Sequence, residues 1–287
     1  MIGPVSVLSI QSSVAYGHVG NSAAVFPVQR LGVEVWPVPT VVFSNHAGYP
    51  AWRGPLLPAE QVREVVRGVE ELGVLPEVDL VLSGYLGGED IGEVVLEAAA
   101  AVRAANPGAV FACDPVMGNA ESGAYVHPAI PALMRERMVP AADLVTPNQF
   151  ELGLLTGTAP RTLPETLAAV DAVRASGPGT VLVTSVLRPD APEGTLEMLA
   201  VHGDEAWLVR TPRFASKSHG SGDVTAALFT THLTRDGDVR DALERTASSV
   251  YDLLRLTRDS GRWELQLVAA QDHFAHPAMQ FRAERVA

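Results

Sequence analysis

Short apolar runs separated by amphipathic stretches recur along most of this chain, and that alternation constrains the fold more than any other feature. A short apolar run between turn signals fits a strand covered on both faces, and the amphipathic stretch after it fits a helix packed on that strand. Repeated, the pattern specifies βα units around a mainly parallel sheet. Strands are predicted at 5–10, 33–41, 78–83, 110–113, 144–146 and 181–184, with an antiparallel hairpin of 198–202 and 205–210 about Gly203-Asp204. Helices are predicted at 21–31, 58–72, 89–105, 128–138, 163–176, 223–235 and 239–256, so the final third reads as helical, followed by a tail rich in Gln, His and Arg. Residues 43–55, rich in aromatics, Gly and Pro, read as an ordered flap. No repeat or linker divides the chain, so 1–287 is expected to form one α/β domain: a three-layer sandwich with a central, mainly parallel sheet flanked by helices.

Composition narrows the function classes. A chain of 287 residues that is 47% hydrophobic can bury a large core. Acids outnumber bases 33 to 21, and no basic patch stands against the net charge of -12. Nucleic acid and anionic membrane surfaces are therefore excluded as partners. No apolar run approaches the ~20 residues of a membrane span, and the start lacks a signal peptide, so a cytoplasmic protein is expected. The single cysteine, Cys113, excludes an intrachain disulfide and a multi-cysteine zinc site, and its apolar run marks a buried strand residue. His127, His202, His232, His273 and His276 have no paired metal spacing and read as surface or turn residues.

The chemistry concentrates in Gly220-Ser221-Gly222-Asp223, which runs directly into a helix of small and apolar residues. Glycines let successive backbone N–H groups turn into one small space, and a helix N-terminus aims its unpaired amides and positive dipole at the same place. That suits a phosphate. Asp223 would repel an anion there unless a neutral hydroxyl lay between them and lost a proton as it attacked, which is a kinase arrangement. Alone, the motif is equally a loop ending in an Asp helix cap. No Gly-x-x-x-x-Gly-Lys-Ser/Thr occurs, so the phosphates are not held by a P-loop. Asp114, after one predicted strand, and Glu151, in a turn after another, are the carboxylates nominated for Mg²⁺. Turn capping and a first-turn helix acid are the plainer alternatives for them. The hydroxyl-rich loop from Ser9 to Ser22 sits where open parallel sheets bind ligands. The flap, with Asn45, His46 and Gly48 among Trp36, Phe43, Tyr49 and Trp52, suits a small planar heteroaromatic ligand.

Together, Tyr16-Gly17-His18-Val19-Gly20-Asn21-Ser22, Phe43-Ser44-Asn45-His46, Ser83-Gly84-Tyr85, Cys113-Asp114-Pro115-Val116-Met117-Gly118, Thr146-Pro147-Asn148-Gln149-Phe150-Glu151 and Gly220-Ser221-Gly222-Asp223 resemble the pyridoxal kinases of the ribokinase-like superfamily. The matches run in the family's order from about residue 5 to 230. The resemblance implies a homodimer that phosphorylates pyridoxal with ATP to give pyridoxal 5'-phosphate. It places Asp223 as the base for the 5'-hydroxyl and the Gly220, Ser221 and Gly222 amides as the anion hole. Ser12, Ala47, Gly48 and Tyr85 fall where the family holds the pyridine ring. Asp114, Thr146 and Glu151 fall at the nucleotide phosphates and metal, and Thr184 with Thr211, Pro212, Arg213 and Phe214 at nucleotide-binding positions. Ala47 stands where a threonine is common, and Asn119 where some members carry an acid. A hydroxymethylpyrimidine kinase and a non-catalytic pyridoxal phosphate binder are the competing readings.

Overall fold

The structure is a computed structural model in which residues 5–214 and 218–287 are described; the very start of the chain, read above for a signal peptide, lies outside them. The chain opens with β1 (Ser6–Val14), α1 (Asn21–Arg30), β2 (Glu34–Phe43), α2 (Ala59–Glu71), β3 (Leu80–Ser83), α3 (Glu89–Ala105) and β4 (Val110–Cys113). A small hairpin of β5 (Gly118–Asn119) and β6 (Gly123–Ala124) follows. Then α4 (Ile130–Leu133) continues through a π-helical turn (Met134–Met138) into α5 (Val139–Ala141). The rest is β7 (Leu144–Val145), α6 (Gln149–Thr156), α7 (Leu163–Arg174), β8 (Thr180–Val186), β9 (Thr195–His202), β10 (Glu205–Pro212), α8 (Ser221–Asp236), α9 (Val239–Asp259), α10 (Gln271–Ala275) and β11 (Glu284–Arg285).

Among the described residues the strands join in one 9-stranded sheet, ordered β11-β10-β9-β8-β7-β4-β3-β1-β2, apart from the β5–β6 hairpin. From β2 to β8 the neighbours are parallel, and β9, β10 and β11 extend the sheet antiparallel. Strand side chains alternate faces. Leu8, Val81, Phe111 and Val183 therefore meet α2, α3, α6 and α7 on one side, while Val7, Leu80, Ala112 and Leu182 meet α1, α8 and α9 on the other. Helices on both faces of a mainly parallel sheet make the ribokinase-like sandwich that the motifs led us to expect. The chain leaves β1 for β2 on one side and for β3 on the other, so the strand order reverses at β1, and the crevice beyond such a switch point is where open α/β sheets bind ligands.

Several details differ from the sequence reading. Strand β1 runs four residues past Ile10, because its pairing with β2 continues through Ser13 and Val14. Helix α6 begins at Gln149: the Asn148 side chain caps the Glu151 N–H, and Glu151 caps back onto Asn148. The predicted helix 128–138 starts later and continues to Ala141. The tail is not purely helical, since β11 pairs with β10 at the sheet edge. His232 is no surface residue: it is 1% exposed in α8, and burial pushes its imidazole down to about 4, keeping it neutral. The four aromatics of residues 36–52 do not cluster either: Trp36 packs on the core, Phe43 lines a cavity, Tyr49 sits among other rings, and Trp52 is exposed.

Candidate active site

Two cavities open at the carboxyl edge of the parallel strands and meet at the start of α8. One, of about 350 Å³, is lined by Ser12, Ala47, Gly48, Tyr85, Gly220 and Asp223 among others. The second, of about 370 Å³, is lined by Thr184, the stretch Thr211, Pro212, Arg213 and Phe214, and by Ser221 and Gly222. Asn119, Ser122 and His219 line both. The glycine turn thus faces one cavity with Gly220 and Asp223 and the other with Ser221 and Gly222. Both volumes suit small organic ligands.

Gly220 forces this placement. Its φ is 83°, and a Cβ there would lie 1.7 Å from the His18 carbonyl oxygen. Only glycine lets the loop after β1 come so close. The same loop supplies Gly20, at φ 52°, where a Cβ would strike the Ser12 hydroxyl and carbonyl. The Gly20 N–H and Asp223's own N–H donate to the Asp223 carboxylate. Burial nevertheless wins and pushes that carboxyl up to about 6. At neutral pH it is ionised but a far better proton acceptor than a solvent-exposed aspartate.

Most of the polar side chains in the first loop are structural. Asn21 accepts from the Ser9 hydroxyl at 2.7 Å and donates to the carbonyls of Gln11 and Val38 at 3.1 and 3.2 Å, tying α1 to β1 and β2. Ser22 Oγ accepts from the Val14 N–H at 3.0 Å and donates to the Val14 carbonyl at 2.8 Å. Ser12 is the hydroxyl of this loop that reaches the cavity.

Asp114, Thr146 and Glu151 line neither cavity but lie buried close by. Burial first, then the charges of Glu151 and Asp223, holds the Asp114 carboxyl well above the ordinary range, while the Thr146 hydroxyl donates to Oδ1 at 2.8 Å and pulls the other way. Burial likewise raises Glu151, against N–H donors from Met117 and Gly118 to Oε1, at 2.8 and 3.2 Å, and from Asn148 to Oε2 at 2.9 Å. Glu151 is thus both the capping residue of α6 and the anchor of the β5 turn. The three acids repel one another, so the local field favours a cation.

Sequence reasoning named His46 and Tyr49 in the flap but missed their partners His219, Trp263 and Glu264. His46 stacks on His219 with centroids 4.4 Å apart, and Tyr49 packs edge-on against Trp263 at 4.3 Å. Glu264, from the C-terminal tail, bonds His46, Tyr49 and the His18 backbone. Nothing in local patterning marks Glu264 as part of a site more than 200 residues away. His219 sits beside the glycine turn and could have been nominated with it.

A family model described as phosphomethylpyrimidine kinase matches residues 57–266. The pyridoxal kinase PdxY of Leifsonia xyli subsp. xyli is 64% identical over 280 residues, covering 98% of this chain and 99% of its own. That of Corynebacterium diphtheriae is 55% identical over 282 residues, covering 98% and 100%. The structure of pyridoxal kinase from Leishmania donovani in complex with ADP and pyridoxamine superposes with a TM-score of 0.92 at 29% identity, covering 98% of this chain and 99% of that one. Sharing both sequence and fold with those enzymes over nearly its full length, this chain belongs to the pyridoxal kinase family.

Proposed function

We infer that this chain, acting as one domain, is an ATP-dependent pyridoxal kinase that phosphorylates the 5'-hydroxyl of pyridoxal to give pyridoxal 5'-phosphate and ADP. Family membership carries the activity. The observation that supports the residue roles is the meeting of two cavities at the glycine turn, with one carboxylate on one side. Pyridoxal takes the cavity of Ser12, Ala47, Gly48 and Tyr85. ATP takes the cavity of Thr184 and Thr211–Phe214. The His46 ring, stacked on His219, forms an aromatic part of the wall of the acceptor cavity. Gly48 has no room for a side chain, since a Cβ would lie 2.6 Å from His219 Nε2.

Asp223 is the general base. Phosphoryl transfer passes through a loose transition state, so the hydroxyl proton leaves late and positioning does most of the work. The amides of Gly220, Ser221 and Gly222, at the positive end of the 16-residue helix α8, stabilise the charge on the transferring group. With the Asp223 carboxyl raised to about 6, it accepts a proton only above that value. The kcat/KM for pyridoxal should therefore fall about tenfold per unit as pH drops below about 6. A flat profile between pH 5 and 8 would count against this base.

Mg²⁺ fits the carboxylate group. Buried Asp114 and Glu151, with Asp223 on the cavity wall beside them, all have raised pKa values and call for a positive charge, and Mg²⁺ prefers waters, phosphate oxygens and one or two carboxylates. Asp114 would hold it directly and Glu151, whose oxygens already accept backbone N–H groups, through water. Bound there, the ion would neutralise charge on the β- and γ-phosphates. Because these acids hold protons more tightly in the folded than in the unfolded state, stability falls as pH rises through their folded pKa values, about 6 for Asp223. Mg²⁺ without nucleotide should thus raise Tm more at pH 8 than at pH 5 by scanning calorimetry. Equal shifts would remove the carboxylates from metal binding.

We further propose a homodimer, as the family resemblance implies, which sedimentation velocity would test. Among the described residues no helix is long and apolar enough to cross a membrane. The activity itself is tested by ATP-dependent transfer to pyridoxal, pyridoxine, pyridoxamine and hydroxymethylpyrimidine. Preference for the pyrimidine would favour the wider family described by the matching model.

A further inference from the structure

The flap over the acceptor cavity is held at its tip by a residue that no step of the chemistry uses. Its base is secured by β-type bonds, with the Ser44 N–H donating to the Arg53 carbonyl at 2.7 Å and the Tyr16 N–H to the Ser44 carbonyl at 2.9 Å. The tip, residues 46–49, reaches instead to the C-terminal tail. His46 Nε2 lies 3.0 Å from Glu264 Oε1, and the Tyr49 hydroxyl donates to the same oxygen at 2.7 Å. The other oxygen, Oε2, accepts from the His18 N–H at 3.1 Å in the loop after β1. Trp263, the residue before, packs edge-on against His46 at 5.3 Å and Tyr49 at 4.3 Å. Gly17 completes the arrangement: its φ of 90° favours glycine, and a Cβ there would lie 2.5 Å from Oε2 and push the carboxylate aside.

We propose that Glu264 is a positioning residue for the phosphate acceptor: from the tail it braces the flap over the cavity and fixes the tautomer of His46. The tautomer follows from the bonds on the ring. The Gly48 N–H donates to His46 Nδ1 at 3.1 Å, so Nδ1 is an acceptor and Nε2 carries the hydrogen that Glu264 receives. With both nitrogens engaged and His219 stacked on it, the His46 ring is held fixed in the cavity wall. A carboxylate, which only accepts, satisfies all three donors; an amide cannot, because its NH₂ must face at least one of them. Glu264 is itself buried, at 9% exposure, where an unmet donor is costly.

The kinetic part of the test rests on reading the cavity as the pyridoxal site; the proteolytic part does not. In Glu264→Gln the KM for pyridoxal should rise about tenfold, the loss of roughly one charge-assisted hydrogen bond, with the KM for ATP and kcat close to wild type and Tm lowered only slightly by the unmet donor. Trypsin should cut after the exposed Arg53 faster than in wild type, followed by mass spectrometry, with no need for turnover. Tyr49→Phe removes one bond, keeps the ring contacts and should change both readouts in the same direction by less. Wild-type pyridoxal KM and cleavage rate in both variants would overturn the proposal. So would a parallel rise in both KM values with a lowered Tm, because the residue would then only hold the fold together. If wild type transfers no phosphate to pyridoxal, the functional reading fails while cleavage at Arg53 still decides the brace.

Discussion

Asp223→Asn should retain the fold and ADP binding while turnover with pyridoxal drops by ~10²–10⁴, the usual worth of a positioned general base. The variant is nearly isosteric, so the carboxamide oxygen can still accept from the Gly20 N–H that holds the present carboxylate. The fold also has no need of the negative charge. Burial raises this carboxyl to about 6, which means the folded state favours the neutral form, so a neutral replacement should leave Tm at pH 8 unchanged or higher. Activity is lost for a different reason: an amide cannot take the hydroxyl proton as the phosphoryl group transfers. The measurement is kcat by coupled assay, beside ADP affinity by calorimetry and Tm by scanning calorimetry. Near-normal kcat would remove Asp223 from the mechanism, and loss of ADP binding would make it a structural residue of the turn.

Among the described glycines, Gly220 should suffer most from an added methyl, as Gly220→Ala. Its Cβ would be placed 1.7 Å from the His18 carbonyl, in a backbone conformation with φ 83° that costs an alanine about 1–2 kcal/mol before any clash. The start of α8 and the loop after β1 must separate, which pulls the Gly20 N–H from Asp223 and moves the amides that face the transferring phosphate. Losing one such donor costs ~2.7–4 kcal/mol of transition-state stabilisation, or ~10²–10³ in kcat. Urea unfolding and kcat should both register the change. Gly222→Ala is the control. Its Cβ would meet nothing within 4 Å and its φ is not positive, so stability should hold. Equal stability losses in the two variants would show that the approach of His18 is not what makes Gly220 necessary.

The alternation of apolar runs and amphipathic helices predicted the sandwich, because each strand interior to the sheet must be covered on both faces. Val110–Cys113 and Glu89–Ala105 emerge with the bounds expected of them. The short helix α6 was not among the predicted helices, although its Asn148-to-Glu151 capping box and the left-handed Gly157 behind it stand in the local sequence. Weaker signals failed for definite reasons. Strand β11 is two residues long and exists because β10 offers it an edge. His232 carries no mark of burial in its neighbours' identities; the packing of α8 in the assembled fold buries it.

The local chain determined those parts of the site whose chemistry is contiguous: the glycine turn with its aspartate, the capped carboxylate at Glu151, the aromatic flap. Each depends on backbone conformation and charge within a few residues, which neighbouring side chains specify. Tertiary structure alone decided that His18 would press against Gly220, that Gly20 would bond Asp223, and that Glu264 would reach back to His46 and Tyr49. Those contacts join segments as far apart as 246 residues, and no local pattern encodes them, because packing of α1, α8 and the tail sets their distances. The raised pKa of Asp223 has the same origin, since burial is a property of the assembled fold.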